Sequence, residues 1–338
     1  MPEITNAHDK FFKEVFTRKD TAEEFLQHYL PENVVGLLDL DSLEYTKDSF
    51  IDRHLKEYFS DLLVKVRLKD DSAGYVYVLF EHKSFQEDSI GFHILRYMVK
   101  IWELSFKKEE WPGFRVIIPL VLYHGATRWR VGLDFRDLFR CPEELVSFVP
   151  GFEYALWDAS RYGDEEIKGS VALRVALLIL KYIFREDLRE RLPEILRLLR
   201  NLSEKRTGIE YIETILKYII NAAPAENIDR EDLEAAVEEA LPHRGGEIMP
   251  TIADSLREEG MQQGMQQGMQ QGMQQGILQS AREALIDILE LRFEVVPESI
   301  VNRLNEIHDP SILRIFRRKA VKVISIEEFE HIINLMMK

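Results

Sequence analysis

Three charged residues of a predicted β-hairpin have the types and the spacing that phosphodiester chemistry requires. Two β-rich runs flank the polar turn 69–74, so the second run is expected to fold back on the first. Side chains alternate along a strand, which places Glu81 and Lys83 on one face. A turn centred near Asp71 puts Asp61 opposite that end of the second run. Residues that pair across strands point to the same side, so the three charged side chains converge at one end of the hairpin.

This triplet predicts a metal-dependent phosphodiesterase. Two carboxylates on one face can hold Mg²⁺, a hard cation that prefers oxygen ligands and keeps several waters. Such a metal polarises a phosphate and lowers the pKa of a bound water. Lys83 would orient or deprotonate that water, or stabilise charge on the phosphate. The alternative is a salt bridge between Glu81 and Lys83 with Asp61 as a strand cap, and so short a pattern does not exclude it.

Further sequence blocks accompany the triplet in a fixed order along the first half of the chain. They are His8-Asp9-Lys10-Phe11-Phe12-Lys13, Glu81-His82-Lys83-Ser84, Phe92 to Tyr97 with Trp102 and Glu103, and Ile118 to Gly125 with Trp129. In this order the blocks make the chain similar to the Rpn family of recombination-promoting nucleases, also named YhgA-like putative transposases. The resemblance implies the PD-(D/E)XK nuclease superfamily and its restriction-endonuclease-like α/β core.

Two residues depart from the pattern of that family. Lys83 stands where the family often has Gln, which brings the chain closer to the general Glu-x-Lys pattern. His93 stands where the family often has Arg, and this puts in doubt any role for a basic side chain at that position.

For the site, the resemblance implies a metal-dependent DNA endonuclease linked to recombination or to mobile-element or phage-related processes. Asp61, Glu81 and Lys83 would be catalytic, and both carboxylates would bind Mg²⁺ or another divalent cation. The alternative is a catalytically silent relative that binds DNA or oligomerises and has a regulatory role. The intact triplet favours the enzyme, because a silent relative has no chemical need for all three residues. The acidic net charge favours the silent protein.

Further residues are candidates for contact with substrate or for support of the triplet. They are Asp9, Lys13, Arg96, Tyr97, Lys100 and His124. Asp9 and Lys13 belong to the predicted first helix, which the resemblance places beside the catalytic strands. The alternative role of Asp9 is to offset the helix dipole in the first turn.

The candidates Arg96, Tyr97 and Lys100 share a helix predicted over 90–107. Arg96 and Lys100 are four residues apart and therefore adjacent on the helix surface. This surface is either a phosphate-contacting face or an ordinary solvated one. His124 ends a predicted buried strand, where it would contact substrate or, alternatively, hold the following turn.

Composition restricts the classes of partner and metal site. The net charge of −15 is unusual for a DNA-binding protein, because affinity for nucleic acid rests on cations that face phosphates. Any contact with DNA must therefore be made by a local basic patch. The single cysteine, Cys141, excludes an internal disulfide framework and fits a reducing cytoplasm. The nine histidines show no His-x-x-x-His spacing on one helix, which disfavours a zinc hydrolase.

No stretch of the sequence predicts secretion or membrane insertion. The N-terminus lacks a basic region followed by an apolar core. No apolar run approaches the roughly 20 residues that span a bilayer, and the longest, 171–183, is interrupted by Arg174 and Lys181. We therefore expect a cytoplasmic protein whose partner is DNA and not a membrane.

The order of the predicted elements indicates an α/β core followed by helices. A nuclease-like α/β domain is expected over 1–165, with a buried strand over 114–123. A helical extension over 166–245 follows. The chain then continues through a repeat segment over 246–280 into a helical C-terminal region over 281–338.

The repeat segment contains Gly-Met-Gln-Gln four times within 260–276, between strong helix formers. Each Gly costs about 1 kcal/mol against Ala in a helix interior, so a helix here needs support from packing. The four-residue period exceeds one helical turn, which would wind the methionine stripe right-handed. We expect a self-association helix, which would make the protein a homo-oligomer, or a helical spacer. A flexible linker is the alternative.

Overall fold

The computed structural model describes residues 7–45, 62–69, 75–108, 113–200, 206–224, 226–242 and 245–336. By their contacts these residues form two compact units, one extending to Asp254 and the other beginning at Ser255. Asp61 and the tip of the predicted hairpin, 70–74, lie outside the described residues.

The first unit contains a five-stranded mixed sheet. Its strands are β1 (Leu38–Tyr45), β2 (Leu62–Leu68), β3 (Tyr75–Lys83), β4 (Ile117–Tyr123) and β5 (Ala155–Asp158). The helices around the sheet are α1 (Ala7–Phe16), α2 (Lys19–Tyr29), α3 (Glu32–Val35) and α4 (Ile90–Lys108). Short 3₁₀ turns follow at Phe135–Leu138, Glu143–Phe148, Ala159–Arg161 and Asp164–Glu166.

Further helices complete the chain. They are α5 (Val171–Tyr182), α6 (Leu188–Arg197), α7 (Arg206–Ala222), α8 (Arg230–Ala240), α9 (Gly245–Phe293), α10 (Glu298–Asn305), α11 (Pro310–Ala320) and α12 (Ile326–Met336). No described helix is both long enough and apolar enough to cross a membrane.

The strands lie in the sheet in the order in which they occur in the chain. The predicted hairpin is confirmed, because β2 and β3 pair antiparallel from Leu62 with Phe80 to Arg67 with Tyr75. Strand β4 pairs parallel with both β3 and β5. Parallel neighbours need a crossover connection, and α4 supplies the one between β3 and β4.

Strand β4 starts later than the sequence predicts. The apolar run 114–123 predicted a strand throughout, whereas Phe114 and Val116 are 57% and 62% exposed and the strand begins at Ile117. The Trp102 side chain of α4 donates its indole N–H to the carbonyl of Arg115, at 2.8 Å. The chain is therefore held by α4 before it joins the sheet.

Helix α4 covers one face of the sheet. Val121 and Tyr123 of β4 belong to a buried cluster with Ile94 and Met98 of α4 and with Trp129. These apolar positions recur at helical spacing in the sequence, so α4 buries one stripe against the strands.

Helices α1 and α2 cover the opposite face. The ring of Phe80 lies 6.5, 5.9 and 6.0 Å from the rings of Phe12, Phe16 and Phe25. Helix α7 packs on α1, where Phe11 stacks on Tyr218 at 4.0 Å between ring centroids. Alternate residues of β3 therefore point to opposite faces of the sheet, one covered by α4 and the other by α1 and α2.

The second unit has a core of its own. Buried residues of α9 pack with residues of the three helices that follow it; they include Leu285, Leu289, Ile300, Leu304, Phe316 and Phe329. The Gly-Met-Gln-Gln repeat is helical and lies within α9. Its methionines are exposed, at 67% to 76% of their surface, and they are Met261, Met265, Met269 and Met273.

Candidate active site

Glu81 is a buried carboxylate at the end of β3. It pairs in register with Val121, so it points to the α4 side of the sheet. Glu81 is only 2% exposed, and its Oε1 lies 3.0 Å from Nζ of Lys83. The other oxygen, Oε2, is buried and has no hydrogen-bond partner among the described residues. A buried carboxylate oxygen without a partner is costly, so this atom is suited to bind a cation.

Lys83 lies between two carboxylates. Its Nζ is 3.0 Å from Glu81 and 2.9 Å from Glu87, and its side chain is 14% exposed. Burial alone would lower the pKa of Lys83, but the negative charge of Glu81 and the hydrogen bonds to both carboxylates raise it to about 12. The ammonium group is therefore charged at neutral pH in this arrangement.

Glu87 joins Lys83 to the start of α4. Its Oε1 is 2.7 Å from Nδ1 of His93 and accepts a hydrogen bond from the Ser89 hydroxyl at 3.0 Å. Its carbonyl accepts the N–H of Ile90, the first residue of α4. Burial raises the pKa of Glu87, but the hydrogen bond and charge of Lys83 outweigh it and hold that pKa below its ordinary value. This bridging carboxylate was not among the predicted site residues, because a non-helical segment joins it to Lys83 and four-residue spacing predicts contact only on a helix.

The opposite side of β3 carries a histidine layer, formed by His8, His82 and His124. The rings of His82 and His124 stack with centroids 4.7 Å apart, and the His8 ring lies 5.2 Å from that of His124. Nδ1 of His82 is 3.4 Å from the carboxylate of Asp9, and Nδ1 of His8 is 2.8 Å from the Tyr218 hydroxyl. Residues from α1, β3, the end of β4 and α7 therefore meet in one polar layer.

Burial keeps the imidazoles of His8 and His124 uncharged at neutral pH. It lowers the pKa of His8 to about 4, with a further contribution from His82 and an opposing one from Asp9. Burial also holds the pKa of His124 well below its ordinary value, and the neighbouring His82 and His8 lower it further. The rings of His8 and His124 are thus uncharged at neutral pH and pack against the other rings of the layer.

Two of the predicted site residues enter the histidine layer. Asp9 bonds to His82, on the side of β3 opposite to Glu81. His124 is 1% exposed and stacks on His82, so its surroundings favour the alternative structural role. Lys13 is exposed on α1, and its charge acts on Asp9.

The α4 candidates lie at different depths. Arg96 is exposed, and Tyr97 is half-buried against the apolar cluster under α4. Lys100 pairs with Glu103 at 3.3 Å. The third member of the predicted catalytic triplet, Asp61, lies outside the described residues.

The resemblance implies a divalent metal, and the orphan oxygen of Glu81 is the described feature that fits one. Among the described residues, no group of three or more His, Cys, Asp and Glu side chains is arranged to hold a metal ion. Mg²⁺ is usually bound through one or two carboxylates together with waters and substrate phosphates, so Glu81 suits this ion.

Comparison with known proteins gives matches over most of the chain. The family described as "Putative transposase, YhgA-like" matches residues 6–210. Recombination-promoting nuclease RpnA of Escherichia coli (strain K12) is 29% identical over 256 residues, which cover 75% of this chain and 85% of that protein. Recombination-promoting nuclease RpnD of Escherichia coli O157:H7 is 27% identical over 253 residues, or 75% of this chain and 94% of that protein.

A relative named as inactive is similar to the same degree. Inactive recombination-promoting nuclease-like protein RpnE of Escherichia coli (strain K12) is 30% identical over 259 residues, which cover 76% of this chain and 84% of that protein. No solved structure matches the chain.

Proposed function

The chain belongs to the YhgA-like family, and we propose that it is a metal-dependent endonuclease that cleaves phosphodiester bonds of DNA in recombination or mobile-element processes. The names of the relatives RpnA and RpnD support a nuclease role in recombination. The substrate, the metal and the catalytic residues are parts of the proposal.

The observation that carries the proposal is the pair formed by Glu81 and Lys83 at the end of β3. A buried carboxylate, one of whose oxygens has no partner among the described residues, stands beside a lysine that is held in its charged form. A core built only for stability gains little from such a pair, because its desolvation offsets its attraction. A phosphodiesterase, in contrast, needs a ligand for a cation and a positive charge near the phosphate.

In the proposed mechanism, Glu81 and Asp61 hold the metal. Asp61 directly precedes Leu62, whose partner in β3 is Phe80, the residue before Glu81. When bound, Mg²⁺ supplies Lewis-acid polarisation of the phosphate and a water of lowered pKa.

Lys83 then acts as a fixed cation and not as a base. The neighbouring Glu87 carboxylate favours the protonated form of Nζ, so of the roles predicted from the sequence Lys83 performs the stabilisation of phosphate charge. Glu87 keeps a hold on Lys83 through its own contact of 2.9 Å, whatever binds to Glu81. We infer that Glu87 positions Lys83.

We also propose that the first unit has a restriction-endonuclease-like core. Support comes from the order of its elements: helix α1, the antiparallel strands β1 to β3, the crossover helix α4 and the parallel strand β4. Arg96 and Lys100 on α4 are the proposed phosphate contacts, since a protein with a net charge of −15 needs a local basic surface for DNA.

The test is cleavage of supercoiled plasmid by the wild-type protein and by the Glu81→Ala and Lys83→Ala variants, with Mg²⁺ or with EDTA. Nicking that needs the metal and is lost in both variants is the expected result. Equal nicking by all three proteins would point to a contaminant or to another site and would refute the assignment.

A catalytically silent, DNA-binding protein is the second candidate. The similarity to RpnE, named as inactive, and the acidic net charge favour it. The absence of cleavage by any variant, together with retained binding of the plasmid in a gel-shift assay, is the outcome that this alternative predicts.

We further propose that the repeat helix makes the protein a homo-oligomer. Exposed methionines recur every four residues along α9, and Met is an adaptable contact residue. Light scattering should give a multiple of the 39.7 kDa chain mass for the wild type and a smaller assembly after substitution of the four repeat methionines by Gln. A monomeric wild type would refute this proposal.

A further inference from the structure

An aromatic ring stands in solvent next to the proposed catalytic lysine. Phe85 is 61% exposed, and Nζ of Lys83 lies 5.9 Å from the centre of its ring. A cation at that distance faces the π-system of the ring. A single exposed Phe needs no explanation by itself, so its neighbours must decide whether the position has a role.

The segment that carries Phe85 is braced on both sides. The Gln86 amide donates to the Thr127 hydroxyl at 2.9 Å and to the carbonyl of Arg128 at 3.0 Å, and it accepts the N–H of Arg130 at 3.0 Å. On the other side, Lys83 is fixed by its two carboxylates. The ring is therefore presented to solvent by a backbone that is anchored before and after it.

The bracing loop is itself anchored to the ends of two strands. The Tyr123 hydroxyl at the end of β4 donates to the carbonyl of Thr127 at 2.7 Å. The N–H of Trp129 donates to the buried carboxylate of Asp158, at the end of β5, at 3.0 Å. The site and the Phe85 ring thus belong to one rigid edge of the sheet.

The basic side chains beside the ring identify the occupant. Nζ of Lys83 lies 5.9 Å from the ring centre, and Arg128 is exposed on the bracing loop. Basic side chains beside a projecting aromatic ring are the combination that binds single-stranded nucleic acid, in which bases stack on the ring and phosphates meet the cations. Because one sugar joins a base to its phosphate, a strand whose phosphate reaches Lys83 has a base within reach of Phe85.

We propose that Phe85 stacks on an unpaired base beside the scissile phosphate, so that the preferred substrate is DNA with single-stranded nucleotides at the cleavage point. This inference rests on the proposed nuclease function and names its substrate class. A base inside a duplex already has both faces covered by its neighbours and must leave the stack to reach such a ring. Gaps, flaps and frayed ends offer that base without this cost.

The experiment measures binding without cleavage. A fluorescein-labelled single-stranded DNA and the same strand annealed to its complement are titrated with full-length protein in EDTA, and fluorescence anisotropy gives both affinities. The wild type should bind the single strand more tightly than the duplex. Phe85→Leu should weaken single-strand binding about tenfold or more, as expected for the loss of one stacked base, and duplex binding less than about twofold.

Two matched variants separate stacking from general damage. Phe85→Trp keeps an aromatic face and should retain the single-strand affinity. Phe148 is 82% exposed in the 3₁₀ turn Glu143–Phe148, and Phe148→Leu should leave both affinities unchanged. Equal effects of Phe85→Leu on the two DNA forms, or an equal loss in Phe148→Leu, would overturn the proposal.

A parallel cleavage assay with Mg²⁺ keeps this inference distinct from the nuclease proposal. Failure to cut either DNA, with a single-strand affinity that depends on Phe85, refutes the nuclease function and retains the stacking. Normal cutting with no effect of Phe85→Leu on either affinity refutes the stacking and retains the nuclease. Photocrosslinking of 5-iododeoxyuridine in the single strand should place the adduct on Phe85, and an adduct elsewhere counts against the proposal.

Discussion

The polar side chains on the two faces of β3 have different surroundings. On the α4 face, Glu81 and Lys83 are ionic, and the carboxylate has an oxygen without a partner among the described residues. On the α1 face, His82 stacks on His124 beside His8, inside a layer of aromatic rings. Burial acts on both faces, and nearby opposite charges outweigh its effect on the pKa of Lys83, whereas the charge of Asp9 does not outweigh its effect on the pKa of His8.

The pKa shifts express this difference. Nearby carboxylates outweigh burial and raise the pKa of Lys83 to about 12, which stabilises its charged form. Burial dominates for His8 and lowers its pKa to about 4, which stabilises its neutral form. We conclude that one face stabilises a charged side chain and the other packs aromatic rings, although adjacent residues of one strand supply both.

The largest effect on stability is expected from a substitution on the α1 face of β3. Phe80 is 1% exposed among the rings of α1 and α2, and Phe80→Ala should lower the free energy of unfolding by about 3–5 kcal/mol. Phe80→Leu retains much of the volume and should cost less. Urea denaturation measures both variants, and a loss under about 1 kcal/mol in Phe80→Ala would contradict the packing role.

The histidine layer should make stability fall at acid pH. The pKa of His8 drops from an ordinary 6.5 to about 4 on folding, so the unfolded chain binds a proton between these values that the folded protein does not. Its contribution is constant above pH 6.5 and is lost as the pH falls towards 4, by at most about 1.4 kcal/mol per pH unit.

Urea denaturation at several pH values measures this slope. His8→Gln should flatten it, whereas His28→Gln, at an exposed histidine of α2, should leave it unchanged. The same slope in wild type and His8→Gln would assign the acid sensitivity to other groups.

On the α4 face, Glu87→Gln should reduce cleavage about tenfold without unfolding the protein. The variant loses the charge that holds Lys83 from the side opposite to Glu81, and about 1.4 kcal/mol of lost positioning corresponds to a tenfold lower rate. Initial rates of plasmid nicking measure the effect. Glu103→Gln, which alters a surface pair with Lys100, is the control, and an equal loss in both variants would count against a positioning role.

The smallest effect is expected at Lys100. Its pair with Glu103 joins two side chains that are 39% and 53% exposed, so Lys100→Ala should change the free energy of unfolding by about 0.5 kcal/mol or less. Thermal denaturation gives the value. If Lys100→Ala weakens DNA binding and leaves stability unchanged, the surface that binds DNA includes α4 as well as the end of β3.

Local periodicity was enough to predict part of this arrangement. Alternation along β3 placed Glu81 and Lys83 together, and the register of β2 with β3 followed from the turn between two β-rich runs. Periodicity could not show that β4 starts only at Ile117, because the chain before it is held at Arg115 by Trp102 of α4, which is a tertiary contact.

The contacts that the sequence did not predict depend on folding of distant segments. Glu87 meets Lys83 and His93 only because the loop before α4 turns back on β3. His8, His82 and the residue after β4 are far apart in the chain, and no spacing rule joins them. Both features follow from tertiary packing.

The most direct test of the account compares neighbours on the two faces of β3. Glu81→Gln and Phe80→Leu are assayed for Mg²⁺-dependent plasmid nicking below their melting temperatures, and both are also melted. We predict that Glu81→Gln lowers the rate at least about 100-fold and keeps the wild-type thermal midpoint, whereas Phe80→Leu lowers the midpoint and keeps the rate. Nicking by Glu81→Gln at the wild-type rate would contradict the assignment of the chemistry to this face.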